Sequence, residues 1–227
     1  MTTTTVQIPS RTAAARPGRV LAGLALRQVR RGAIAVAVLS GGMSAAVAAT
    51  YQDVIADAPG GAAALAALAT NPAIRTLFGE PVALDDAGGF TVWRVGTVLA
   101  VLVGTWAALT AVRVLRGEED TGRWDLLLAG RVPAAAAVSG HLAVLVGAAL
   151  VTGSAVTVAL LVTGTDPVGA AVHGASLALV GTFFAGVGGL AAQLWPDRGT
   201  AAGGAVGVLL AGLLARMVGD GVEALTW

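Results

Sequence analysis

The sequence predicts an all-α, polytopic transmembrane helix bundle of about five spans, entered through an amphipathic helix and with its N-terminus in the cytoplasm. Composition, charge-free windows and the placement of arginine carry that prediction. Of 227 residues, 56% are hydrophobic and 12% charged, and the mean hydropathy is +0.80. A soluble domain is about 45–50% apolar and about 25% charged, so this chain has too little polar surface to cover a water-facing globule. The 32 glycines, with abundant alanine, supply the small residues that let membrane helices approach closely.

Two absences narrow the chemistry. There are no cysteines, which excludes disulfides, thiolate metal sites and thiol catalysis. All 14 basic residues are arginine. A Walker A loop needs a lysine on the β- and γ-phosphates, so the chain carries no phosphate loop of its own. No HExxH, GxSxG or carboxylate dyad appears, and neither a catalytic nor a metal-ligating set is predicted.

A bilayer core about 30 Å thick needs roughly 20 apolar residues in a helix. Charge-free windows place spans near 32–52, 95–112, 135–161, 170–194 and 199–215. With the N-terminus inside, eleven arginines fall on the cytoplasmic side: Arg11, Arg16, Arg19, Arg27, Arg30, Arg31, Arg113, Arg116, Arg123, Arg131 and Arg198. Only Arg75, Arg94 and Arg216 fall outside, a strong positive-inside bias.

Residues 1–16 are polar and Thr-rich and read as a disordered cytoplasmic tail. At 100° per residue, Arg19, Arg27, Arg30 and Arg31 cluster on one side of 17–31 while Leu21, Leu24 and Ala25 lie on another. Pro17 suits a first helical turn, so 17–31 is predicted as an interfacial amphipathic helix leading into the transmembrane domain, 32–227. The outer loop, 53–94, holds five acids and many turn signals. Its Ala-rich stretch at 61–70 is too short to span and reads as a surface or re-entrant helix. Residues 164–168 leave room for a tight turn alone.

The segment Arg113–Arg131, RVLRGEEDTGRWDLLLAGR, is the most informative. Arg116 faces Glu119 and Asp120 at helical spacing, and Asp120 or Thr121 can cap a new helix. In that helix Trp124, Leu127 and Leu128 share a face that excludes Arg123 and Asp125. A short amphipathic helix at 117–130, between two spans, is shaped to lie flat at the membrane and touch a protein partner.

An amphipathic helix, a span, an outer loop, and a span running into R-x-x-R-G-E-E-x-T-G-R-W-D-L-L-L-A-G-R-V together resemble the ABC-2-type exporter permeases, in particular actinobacterial multidrug and polyketide-antibiotic permeases of the tetronasin-resistance kind. The resemblance implies that 117–130 is a coupling helix resting on a cytoplasmic ABC ATPase dimer, through Arg116, Glu118, Glu119, Arg123, Trp124, Leu127 and Leu128. It also implies that 17–31 is the family's elbow helix, that ATP and Mg²⁺ are bound by the partner and no cofactor by this chain, and that the protein lies in the plasma membrane. Such permeases carry six spans per half. Five spans place Asp220, Glu223 and Trp227 outside, so the sequence reads as an N-terminal half whose complement is a second permease half. Lipid is the other expected partner, and nucleic acid is not.

The remaining polar and aromatic residues have structural and functional readings. His141 and His173 lie near opposite membrane faces and read as neutral, hydrogen-bonded histidines. Arg216 reads as snorkelling outward, with Trp93 and Arg94 an interfacial anchor pair. Gly186, Gly188 and Ala191 match G-x-G-x-x-A inside an apolar span, where helix packing is the expected role. Gly203 and Gly207 form a GxxxG step with the same expected role. Met43, Trp106, Phe183 and Phe184 are candidate lining residues of a substrate cavity. The function expected is export of hydrophobic or amphipathic compounds by alternating access. A secondary transporter or channel without an ATPase is the alternative, against which the span centres are nearly bare of ionisable groups.

Overall fold

A computed structural model of the chain describes residues 17–51, 55, 59–120 and 133–221, without the side chains of 17–21, 62 and 118–120. The described residues form seven helices and no strand. They are α1 (Pro17–Tyr51), α2 (Gly61–Ala69), α3 (Pro72–Phe78), α4 (Ala87–Asp120), α5 (Ala134–Val162), α6 (Pro167–Leu194) and α7 (Arg198–Gly221). Five of them are long and apolar enough to cross a membrane: Ala22–Tyr51, Ala87–Gly117, Ala134–Val162, Pro167–Leu194 and Arg198–Gly221. The tail 1–16 and residues 121–130 of the expected coupling helix lie outside the described residues.

The helices run past the charge-free windows because the charges beside those windows serve the helix ends. Asp86, Asp166 and Asp197 each accept a hydrogen bond from a backbone amide three residues on, Gly89, Gly169 and Thr200, at 2.9, 2.7 and 2.9 Å. They cap α4, α6 and α7, satisfying amides that an apolar surround would otherwise orphan. Hydrogen bonds from the Thr200 amide and hydroxyl also hold the exposed Asp197 carboxyl below its ordinary range. That cap is therefore complete above the ordinary carboxylate pKa and weakens as pH falls through the lowered value.

Two expected boundaries differ. Residues 17–31 are not a separate elbow, because α1 continues unbroken from Pro17 to Tyr51. No proline lies between, and Gly32 is accommodated in the helix with the Trp106 indole against it. The exposed Arg27, Arg30 and Arg31 flank a buried line of Ala25, Val29 and Ala33 that is continuous with the span. Likewise, 117–120 are the last turn of α4 and not the start of a new helix.

Packing is strongest for α1 on α5, α4 on α6 and α5 on α6, with α7 set against α4 and α6. Glycine permits this closeness. At the α5–α6 crossing Gly153 and Gly174 face each other, and a Cβ on either would overlap the other's carbonyl oxygen. The Thr157 hydroxyl lies in the same crossing, within reach of the carbonyls of Gly153 (3.1 Å) and, across the helices, Ala170 (3.2 Å). Seven residues beyond Gly174, Gly181 meets Ala149 of α5 and Val103 of α4, and after another seven Gly188 meets the backbone of Ala108 on α4. The packing expected of Gly188 and the buried Ala191 is thus present. Among the described residues nothing lies within 4 Å of a Cβ at Gly186, Gly203 or Gly207; on α7 it is Gly204 that is in contact, beneath the Trp195 ring.

These contacts yield a paired expectation. Gly174→Ala forces the α5–α6 crossing apart and costs about 1–3 kcal/mol, the range of overpacking a tight core. Gly203→Ala projects into open space and stays within about 0.5 kcal/mol of the parent. Unfolding of the purified protein in mixed micelles, followed by tryptophan fluorescence, measures both, and equal effects at the two positions would contradict the packing.

Candidate functional site

The loop between α1 and α4 is held by side chains, since α2 and α3, at 9 and 7 residues, are too short to be stable alone. The Trp93 indole N–H donates to the Gly79 carbonyl at 3.1 Å, and the Tyr51 hydroxyl to the Leu84 carbonyl at 2.9 Å. Tyr51, Phe90, Trp93 and Phe78 form a chain of tilted rings with centroids 5.4–6.1 Å apart. The Arg94 guanidinium lies 4.9 Å above Phe78. Aromatic pairs contribute about 0.5–1.5 kcal/mol each beyond their burial, enough together to seat the loop on α4. Trp93 is 6% exposed, so it is a core residue of this loop seat and not a lipid-facing anchor.

Gly79, with φ of +93°, turns the chain after α3. Its carbonyl receives Trp93, and the Arg216 guanidinium of α7 packs against its Cα. Arg216 donates to the Phe78 carbonyl at 3.0 Å and pairs with Asp220 at 3.3 Å. The expected outward snorkelling is thereby corrected: α3 supplies a carbonyl close enough to hold the side chain against the protein.

Beneath this loop lies a cavity of about 980 Å³, at the upper end of the roughly 300–1,000 Å³ common for small-molecule sites. Its walls are α4 through Val92, Gly96 and Val101, α6 through Ala170, His173 and Phe184, and α7 through Leu209, Leu213 and Arg216. Phe78, Glu80 and Val82 close it from the loop, and the first turns of α4 and α6 border it. The lining is mainly apolar, with its charged groups at the loop end and the Thr97 and Ser176 hydroxyls deeper along α4 and α6. Phe184 and Leu209 fill the space that a side chain at Gly104 would need.

Of the four aromatic and methionine candidates, Phe184 alone lines this cavity. Phe183 touches it edge-on, with centroids 5.1 Å apart, and is 61% exposed on the outer surface. Met43 packs against the core around Leu99 and Val156, and Trp106 against the core around Val29 and Leu145. Sequence reasoning missed Gly96, Leu209 and the role of Arg216, because the cavity arises from three helices and a loop that no local pattern links.

The two histidines differ in the same way. His141 is buried, and its Nδ1 lies 2.8 Å from the Ala137 carbonyl, the hydrogen-bonded arrangement expected of it. His173 is equally buried at 7% exposure, but its Nε2 has no hydrogen-bond partner among the described residues. The expectation of a satisfied histidine is therefore corrected at His173, whose ring faces Gly96 of α4. Among the described residues no cluster of three metal-ligating side chains occurs.

At the opposite end of the bundle, the Arg116 guanidinium grips the Pro196 carbonyl in the turn between α6 and α7 through its Nε, at 2.9 Å, and its Nη2. Arg113 reaches the Gln28 carbonyl of α1 at 3.4 Å. Glu118 and Glu119 fall in the last turn of α4, with their side chains outside the described set; Arg123, Trp124, Leu127 and Leu128 lie outside the described residues altogether.

No family model matches the sequence. Over 193 residues, 85% of this chain, it is 33% identical to the multidrug efflux system permease protein Rv1217c of Mycobacterium tuberculosis. The chain spans 35% of the length of that relative. With the five long apolar helices, this identity marks a multi-pass membrane protein, and the chain belongs to the ABC-2-type permease-like family.

Proposed function

We propose that the chain is a transmembrane part of an efflux permease for hydrophobic or amphipathic compounds, driven by a separate cytoplasmic ATPase. The observation that carries this reading is the relationship to a permease named for multidrug efflux, sustained over 85% of the chain. The cavity supports it: a large, mainly apolar space among α4, α6 and α7 fits an apolar cargo better than an ion. These 227 residues hold no lysine, so a Walker A motor lies outside them. In this reading the protein lies in the plasma membrane with its N-terminus and the α6–α7 turn inside, and the loop carrying α2 and α3 outside.

The mechanism follows from the connections. ATP binding closes the partner's dimer and displaces the 117–130 segment, whose first four residues are the last turn of α4. Because α4 also forms a cavity wall, and Arg116 ties it to the turn that starts α7, a push at that end moves two of the three walls. Alternating access is that movement, opening the cavity to one side and then the other. The chain performs no covalent chemistry. Glu118, Glu119, Arg123, Trp124, Leu127 and Leu128 contact the ATPase, while Arg116 acts as the internal tie. A second permease half completes the translocation unit.

Neutralising Glu118, Glu119 and Arg123 together is expected to abolish ATP-dependent dye export from vesicles holding the full permease and its ATPase, with membrane insertion intact. Surviving export would sink the docking assignment, and export unaffected by ATP depletion would favour a secondary transporter. A second expectation concerns the cavity. A Cβ at Gly96 would make only ordinary contacts, at 3.6 Å to His173 and 3.7 Å to Val92, so Gly96→Leu should fold and fill the space. Equilibrium binding of an apolar fluorescent probe should fall by about tenfold or more, the value of one well-placed apolar group or more; unchanged binding would place the cargo elsewhere.

A further inference from the structure

The polar groups at the loop end of the cavity fall into two sets. The carboxylates are engaged. Asp86 and Asp166 each cap a helix and accept an amide hydrogen bond, and Glu80 sits 3.8 Å from the Arg75 guanidinium. Each carboxylate at a cap is further balanced by the positive end of its own helix. Two nitrogen atoms are not engaged. The Arg216 guanidinium is held through its Nη2 by the Phe78 carbonyl and Asp220, but Arg216 Nη1 and His173 Nε2 both lie buried without a hydrogen-bond partner among the described residues. They belong to different helices, α6 and α7, and both residues line the same cavity.

A buried polar nitrogen left without a partner is destabilising, and more so when charged. Two in the walls of one cavity mark a place where a partner is missing. Arg216 Nη1 can only donate, and His173 Nε2 donates in one of its tautomers, so the missing partner is an acceptor. The wall also carries the Thr97 and Ser176 hydroxyls, and beyond them α6 presents an apolar lining from Leu177 to Phe184, about 10 Å at the usual helical rise.

Resting on the cavity's assignment as the cargo site, we propose that its ligand is an amphipathic molecule with an elongated apolar body and an anionic acceptor at one end, a carboxylate being the simplest. The anionic end lies between His173 and Arg216, and the body runs towards Phe184 and Leu209. A cationic head is disfavoured because its natural partners, the three carboxylates, already have theirs. An amphiphilic acid and an anionic membrane lipid share this chemistry.

The test uses the 227-residue chain in phosphatidylcholine nanodiscs with cis-parinaric acid as probe. Its methyl ester and an alkyl trimethylammonium of equal chain length serve as comparison ligands, and His173→Phe and Arg216→Gln as variants. The acid should bind about tenfold more tightly than the ester, the effect of one charge-assisted hydrogen bond, and the ammonium more weakly still. Each variant should erase the difference between acid and ester while leaving the ester's binding in place. His173→Phe preserves an apolar wall and leaves the Arg216–Phe78 bond intact, so it decides the matter if Arg216→Gln disturbs the loop. Displacement of the acid by added phosphatidylglycerol would identify a lipid as a source of the head group, and no displacement would identify a free acid. Equal binding of acid and ester to the parent, or preference for the ammonium, overturns the head-group assignment alone. If neither acid nor ester binds, and Gly96→Leu changes nothing, the cargo site itself falls with it.

Discussion

The structure depends on how closely α6 can approach its neighbours. Gly174, Gly181 and Gly188 recur every seven residues, and a recurring residue at that spacing stays on nearly one face of a helix. Each replaces a side chain with the backbone or Cβ of another helix: Gly153 on α5, then Ala149 and Val103, then Ala108 on α4. In lipid there is no water to expel from between helices, so association rests on packing and a few interhelical hydrogen bonds. The bond from Thr157 to the Ala170 carbonyl forms only because α5 and α6 lie this close. The chain's apolar character inserts it into a membrane. The glycine face decides how the inserted helices are arranged.

The same face accounts for the cavity. Along α6 the line of closest contact passes from α4, at Gly188, to both neighbours at Gly181 and to α5 at Gly174. Towards the loop end α6 therefore leans on α5, and the space on its other side is bounded by α4 and α7. Phe184 and Leu209 close that space where they pack over Gly104. The loop closes the far end, seated by the Trp93 indole on Gly79 and by Arg216 on Phe78. A cavity built this way is a product of tertiary packing, and its lining residues share no sequence periodicity.

This explains what was legible beforehand. Charge-free windows reveal membrane helices because a charge in hydrocarbon is costly, and the structure has five long apolar helices at those windows. The charges near those windows are harder to interpret: Asp166 and Asp197 flank windows and Asp86 belongs to the expected outer loop, yet all three are helix caps, so the helices begin at them. Arg216 shows the reverse problem. Its position at a span end suggests snorkelling, but the carbonyl that holds it comes from α3, 138 residues earlier in the chain. The small-residue step at Gly203 and Gly207 has the packing pattern without a described neighbour, whereas Gly204, one residue along, is covered by Trp195. A spacing rule identifies a face that can pack closely, and the neighbour that uses it is a matter of topology. For Phe184 against Phe183, adjacent residues of one type, direction from the helix alone separates the cavity wall from the lipid face.

The contrast between His141 and His173 carries the same reasoning to the chemistry. Both sit within the first two turns of a transmembrane helix, both are buried, and each has a helical carbonyl four residues back. His141 uses that carbonyl, and its polar demand is met within its own helix. His173 has Ala170 and Gly169 behind it at the cavity's edge, and across from it stands Gly96, whose missing side chain leaves 3.6 Å of ordinary contact distance to a Cβ and nothing that can hydrogen-bond. A protein of this composition could have satisfied or removed such a group by one substitution to an apolar residue, which would be nearly neutral in a wall already apolar. A buried, unpaired imidazole nitrogen and a buried, unpaired guanidinium nitrogen in the walls of one cavity are thus a stability cost carried by its lining. A cost of that kind is offset when an occupant supplies the acceptors, and that makes the loop end of the cavity, not its aromatic floor, the place where selectivity would arise.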